Sequence, residues 1–66
     1  MLPEEVRDRV IEEQEQLREK ITKLAAFVYD FTKIKSVSDY ELTLLKRQLA
    51  IMEDYDETLT KRLKAD

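Results

Sequence analysis

The sequence predicts an all-α fold: an antiparallel two-helix hairpin that assembles into a helical homo-oligomer, with room for a short additional N-terminal turn. Three observations predict it. Apolar residues recur in two stretches at the three- and four-residue spacing of a helix seam, and Ser38-Asp39-Tyr40-Glu41 marks a helix start between them. The composition, 41% charged beside 42% hydrophobic in 66 residues, is that of long amphipathic helices.

The first helix is expected over about residues 4–33. Pro3 suits a helix start because it lacks the N–H that would go unpaired there, and Glu4 and Glu5 favour the positive end of the helix dipole. Val10, Leu17, Ile21, Leu24, Val28 and Phe31 then form a heptad seam, with Gln14 in the position an apolar residue would fill. Val6, Ile11, Ala25, Phe27 and Ile34 widen that stripe beyond what one neighbour would cover.

A loop is expected over about 34–38 and a second helix over about 39–64. Ser38 and Glu41 form a capping box, the serine accepting from the backbone at Glu41 and the glutamate reaching back to the backbone of Ser38, while Val37 can staple onto Leu42. Leu42, Leu45, Leu49, Met52, Leu59 and Leu63 make the second seam, and Leu44, Ile51 and Tyr55 form a second apolar line beside it. Lys61, Arg62 and Lys64 complement the negative helix end. So short a loop makes the helices antiparallel, and residues 1–66 are expected to form a single helical domain.

Size argues for self-association. A chain of this length buries only about 60% of its unfolded surface, and without Cys or His it has neither disulfide nor zinc staple. Two helices also cannot cover two wide apolar stripes between them. The absence of an N-terminal apolar leader and of a long apolar run points to a cytoplasmic protein that does not span a membrane.

The same composition excludes most chemistry. Thiol and histidine catalysis, Cys/His zinc sites and glycine-rich phosphate loops all lack their residues. Glu12, Glu13, Glu15 and Glu19 cannot make the usual bundle di-metal site without a His, so no metal, no cofactor and no enzymatic activity are expected. With a net charge of -3 the chain is poorly suited to duplex nucleic acid. Charge is nevertheless uneven: residues 1–19 carry seven acidic and three basic side chains, 20–47 three and six, and 48–66 five and three. A positive loop end and a negative open end can steer a compact anion or orient neighbouring hairpins. Lys20, Lys23, Lys33 and Lys35 with Arg7, Arg9 and Arg62 are the phosphate-binding candidates, and Tyr29, Tyr40 and Tyr55 are either packing residues or stacking platforms for a base.

Beyond these patterns, Arg9-Val10, Glu13, Leu17, Lys20, Lys23-Leu24 and Phe27, followed by Leu44-Leu45, Gln48, Met52, Tyr55, Leu59 and Arg62, resemble the small phage-encoded anti-CBASS proteins of the second type, over about residues 9 to 62. Gln48, Met52 and Tyr55 are the least generic of these. The resemblance implies a phage immune-evasion protein of the infected bacterial cytoplasm that binds and sequesters the cyclic di- and trinucleotide messengers of CBASS defence without degrading them. It implies a homohexamer with dinucleotide pockets between paired protomers and trinucleotide pockets where three meet. Lys20 and Lys23 then lie near the dinucleotide pocket and Arg62 toward the end of the second helix. Many members carry an aromatic residue shortly before the Arg-Val pair; Val6, Arg7 and Asp8 stand here, so Arg7 would stack in its place. Arg7, Arg9, Lys20, Lys23 and Arg62 are therefore the ligand-binding candidates. Two alternatives stay open: a protein-interaction or structural bundle with no nucleotide ligand, and a small regulator that binds single-stranded RNA.

Overall fold

The computed structural model describes residues 2–65. It contains α1 (Glu4–Val28), the single turn α2 (Phe31–Ile34) and α3 (Asp39–Lys64), with no strand among the described residues. The two long helices pack side by side as a hairpin. The molecule is a rod of 46 × 15 × 12 Å whose radius of gyration is 15.0 Å, against about 11 Å for a compact domain of this length.

α1 starts immediately after Pro3, whose carbonyl accepts from the backbone N–H of Arg7 at 2.9 Å. It ends earlier than the expected residue 33. At Tyr29 and Asp30 the chain turns, Tyr29 N–H donating to the Ala25 carbonyl and Asp30 N–H to that of Phe27. Asp30 is extended and its Oδ1 accepts from the backbone of Thr32 (2.9 Å) and Lys33 (3.2 Å), so it restarts the helix as an N-cap. A run of bulky and β-branched residues, Phe27-Val28-Tyr29, sits just before this strong cap, and the cap wins. The break takes Phe31 out of the seam the spacing assigns it to: the residue is 81% exposed.

α3 begins behind Ser38, whose Oγ accepts from Glu41 N–H at 3.1 Å. Among the described residues the reciprocal bond from the Glu41 carboxylate is not made, so only the serine half of the capping box forms. Ser38→Ala is expected to cost about 1 kcal/mol, read as a lower thermal midpoint with the helix content below the transition unchanged.

The core is narrow. Val10, Leu17 and Leu59 form one buried cluster, against which Val6, Ile21, Met52 and Leu63 pack. Val28 and Leu49 are buried too. Gln14 lies in the seam and is satisfied across it, its Nε2 donating to Thr60 Oγ1 at 2.6 Å and to the Asp56 carbonyl at 3.3 Å. No buried side-chain nitrogen or oxygen among the described residues lacks a partner. Such a bond fixes register, because sliding α3 past α1 would strand a buried amide at a cost of about 1–3 kcal/mol. Among the described residues no helix is long and apolar enough to cross a membrane.

Candidate functional site

A helix advances about 100° per residue, so positions spaced by three and four share a flank. On α1 this places Arg9, Glu13, Gln16 and Lys20 along one line, with Phe27 five full turns beyond Arg9. On α3, Leu44, Gln48, Ile51, Tyr55 and Arg62 form a second line. Tyr55 Oη donates a hydrogen bond to Glu13 Oε1 and ties the two together. Both lines therefore occupy the same side of the hairpin. Arg62 belongs to the same neighbourhood, since its charge acts on the Tyr55 phenol.

The Tyr55 pKa is raised above its ordinary value of 10.0, first because its proton is held by Glu13, then by partial desolvation and the Glu13 charge, with Arg62 opposing. A phenol held this way presents its ring in a fixed orientation while 42% of the residue stays open to solvent. The stability consequence has a definite sign. A folded-state pKa above the unfolded one adds stability below about pH 10, and that stability is lost as pH rises through the folded value. In an ultraviolet titration, Glu13→Ala is expected to move one tyrosine transition back toward 10; three unchanged transitions would show that the bond is not formed in solution.

The opposite flank has a different character. Arg7, Ile11 and Arg18 follow one another there on α1, four and seven residues apart. Arg18 Nε meets Asp56 Oδ1 at 2.9 Å, and Arg7 Nη1 donates to the Leu63 carbonyl at 3.4 Å. The cations of this flank are thus directed at α3 itself.

The five ligand candidates divide accordingly. Arg9, Lys20 and Arg62 are exposed on the Tyr55 flank. Arg7 lies on the other flank. Lys23, three residues on from Lys20 and four before Phe27, shares the Arg9–Lys20 line, and its Nζ pairs with Glu19 Oε1 at 3.1 Å. Of the remaining lysines, Lys33 and Lys35 belong to the connection. Glu13 is the participant that residue patterns alone do not assign. Its place on the Arg9–Lys20 line was visible, but its bond to Tyr55 depends on which α3 residue stands opposite.

Arg9, Lys20, Lys23 and Arg62 lie along the Tyr55 flank beside the carboxylates of Glu5, Glu13 and Glu41, in a chain of net charge -3. Exposed aromatic area, an amide at Gln16 and another at Gln48 lie between those charges. That inventory suits a ligand with flat bases and phosphates: guanidinium and ammonium groups for the anion, the tyrosine for stacking, amides for base edges. Among the described residues no group of three His, Cys, Asp or Glu side chains is placed to hold a metal ion.

A family model described as Sequestin matches residues 4–65 of the chain. No curated protein matches, and no solved structure does.

Proposed function

The chain belongs to the Sequestin family, whose name denotes sequestration, and from that premise we propose that it holds a compact cyclic nucleotide messenger and keeps it from its receptor without altering it. The carrying observation is the flank that Arg9, Lys20 and Arg62 share with Tyr55. The sequence resemblance to anti-CBASS proteins supplies the ligand class: cyclic di- and trinucleotides, bound in the cytoplasm of an infected bacterium by a homo-oligomer, with a hexamer as the assembly the resemblance implies.

The physics supports a small anion over a long one. A few converging cations bind a compact phosphorylated ligand, whereas a polyanion needs an extended basic surface that this acidic chain lacks. Glu13 repels phosphate, but it can accept from an exocyclic amino group of a stacked base, which favours adenine, guanine or cytosine over uracil. A rotation axis that repeats this flank repeats its cations and its ring, and so matches a ligand with repeated bases and phosphates.

The test is calorimetric titration of the protein with a graded panel: cyclic di- and trinucleotides, cyclic molecules with one base and a pyrophosphate, their linear forms, and single-stranded oligonucleotides. After saturation the protein is heat-denatured and the released ligand analysed. Tight binding of a cyclic nucleotide recovered chemically intact is the expected result. Cleaved ligand would overturn sequestration without degradation. Binding only to oligonucleotides, growing with their length, would mark an RNA-binding protein instead. The exposed Leu44–Ile51 line favours one second reading, a helical module for protein contacts, and no heat with any compound in the panel would select it.

A further inference from the structure

We propose that the connecting end of the hairpin is a membrane-contact surface: Tyr29, Phe31 and Tyr40 enter the headgroup region of an anionic phospholipid bilayer, Lys33 and Lys35 meet its phosphates, and the rod stands end-on. The inference goes beyond the ligand reading and uses none of Arg9, Lys20, Tyr55 and Arg62.

The first support is what this end exposes. Among the described residues Phe31, Tyr40 and Tyr29 are the most exposed large apolar residues, at 81%, 74% and 72%. Tyr29 directly follows α1, Phe31 opens α2 and Tyr40 is the second residue of α3, so all three lie at one end of the rod. Lys33 and Lys35 are exposed in the same stretch, whereas its aliphatic residues, Ile34 and Val37, are half-buried. Tyrosine joins an apolar ring to a polar tip, and lysine an apolar stem to a charged head. Such side chains suit the layer where hydrocarbon gives way to headgroups. The backbone suits it too. The N–H groups of Thr32 and Lys33 donate to Asp30 Oδ1, that of Ile34 to the Asp30 carbonyl and that of Val37 to the Ile34 carbonyl. These donors lose nothing when water is displaced around them.

The second support is shape, which favours a bilayer over a globular partner. The end of a rod 15 × 12 Å across is small and convex. Its three rings offer about 350–550 Å² of accessible surface, below the roughly 800 Å² that each partner buries in a standard protein interface. A fluid bilayer needs no matching surface and admits such a tip ring by ring.

The third support is charge, which selects an anionic bilayer and the end-on direction. Residues 23–47 hold five basic and three acidic side chains, and the rest of the chain seven and twelve. An anionic surface therefore attracts the connecting end and repels the open end. At physiological salt its field is screened within about 8 Å. With the rod upright, most of its 46 Å length stands outside that reach, whereas a chain of net charge -3 lying flat would be repelled.

The test uses the intact protein and vesicles. Co-sedimentation with vesicles of phosphatidylcholine and phosphatidylglycerol in equal parts is expected to carry the protein into the pellet, and phosphatidylcholine alone to carry far less. Phe31→Ser is expected to weaken the partition about tenfold at unchanged helix content, since the residue packs against little in the hairpin. A parent chain that stays in the supernatant would overturn the proposal, and so would equal pelleting with the two lipids. Insertion is read separately. The chain has no Trp, so Phe31→Trp places a single indole at the tip and Ile11→Trp places one on the side of the rod. With the anionic vesicles, Phe31→Trp emission is expected to shift to the blue and to be quenched by brominated acyl chains, while Ile11→Trp emission stays unchanged. Equal shifts at both positions would overturn the end-on contact. Phe31→Trp emission that is already blue without lipid and unmoved by it would overturn the proposal in favour of a protein contact at the tip. No arm contains a cyclic nucleotide, so a failure of ligand binding leaves these readouts intact.

Discussion

Leu59→Ala is expected to take away most of the hairpin's stability. Leu59 is 0% exposed and belongs to the cluster with Val10 and Leu17. Truncating such a leucine costs about 2–5 kcal/mol, from lost transfer energy and the cavity left behind. At about 0.05–0.15 kcal/mol per residue, a 66-residue chain has only about 3–10 kcal/mol to lose. The narrow core offers little relaxation, because only a few apolar side chains are fully buried in a rod 15 Å by 12 Å across. Thermal unfolding followed by circular dichroism is expected to show a midpoint lower by 10 °C or more, on the order of 4–8 °C per kcal/mol for a domain of this size, or no cooperative transition at all. Leu59→Met, which nearly conserves volume, is expected to cost less than about 1.5 kcal/mol. A Leu59→Ala melt within two or three degrees of the parent would mean that another contact, such as subunit pairing, carries the stability.

The second large effect concerns ligand binding. If the Tyr55 flank holds a cyclic nucleotide, Arg9→Ala and Lys20→Ala each remove a cation that faces its phosphates. Hydrogen bonds to charged groups contribute about 1.5–3 kcal/mol, so each substitution is expected to weaken binding about 10- to 100-fold, at unchanged helix content and oligomeric mass. Arg7→Ala is the internal control. Arg7 donates to the Leu63 carbonyl on the other flank. The variant is expected to bind within a factor of about two of the parent. Equal losses for Arg7→Ala and Lys20→Ala would show that the ligand does not lie on this flank.

Much of the molecule was legible in its residues because helix periodicity and capping are local. The two seams, the helix start behind Ser38 and the hairpin itself follow from spacing within a few residues. The break at Tyr29–Asp30 was also written locally: Asp30 has the cap chemistry that Ser38 has. The heptad spacing that runs on through Phe31 outweighed it, and that spacing carries no information about where backbone donors find acceptors.

The candidate site was legible only in part. The sequence supplied Arg7, Arg9, Lys20, Lys23 and Arg62 as a set, and helix geometry alone places Arg9 and Lys20 on one line. It could not tell which α3 residues stand beside that line, because the register between helices depends on all the seam contacts at once.

The sequence by itself therefore determined an all-α hairpin, its acidic net charge with a basic middle, and the absence of the residues most catalysis needs. The tertiary structure decided that Gln14 meets Thr60, that Glu13 holds Tyr55, and that Arg9, Lys20 and Arg62 share a side that Arg7 does not. The physical reason is that spacing fixes the angle of each side chain about its own helix axis, whereas a site between helices exists only once two such axes have taken a common register.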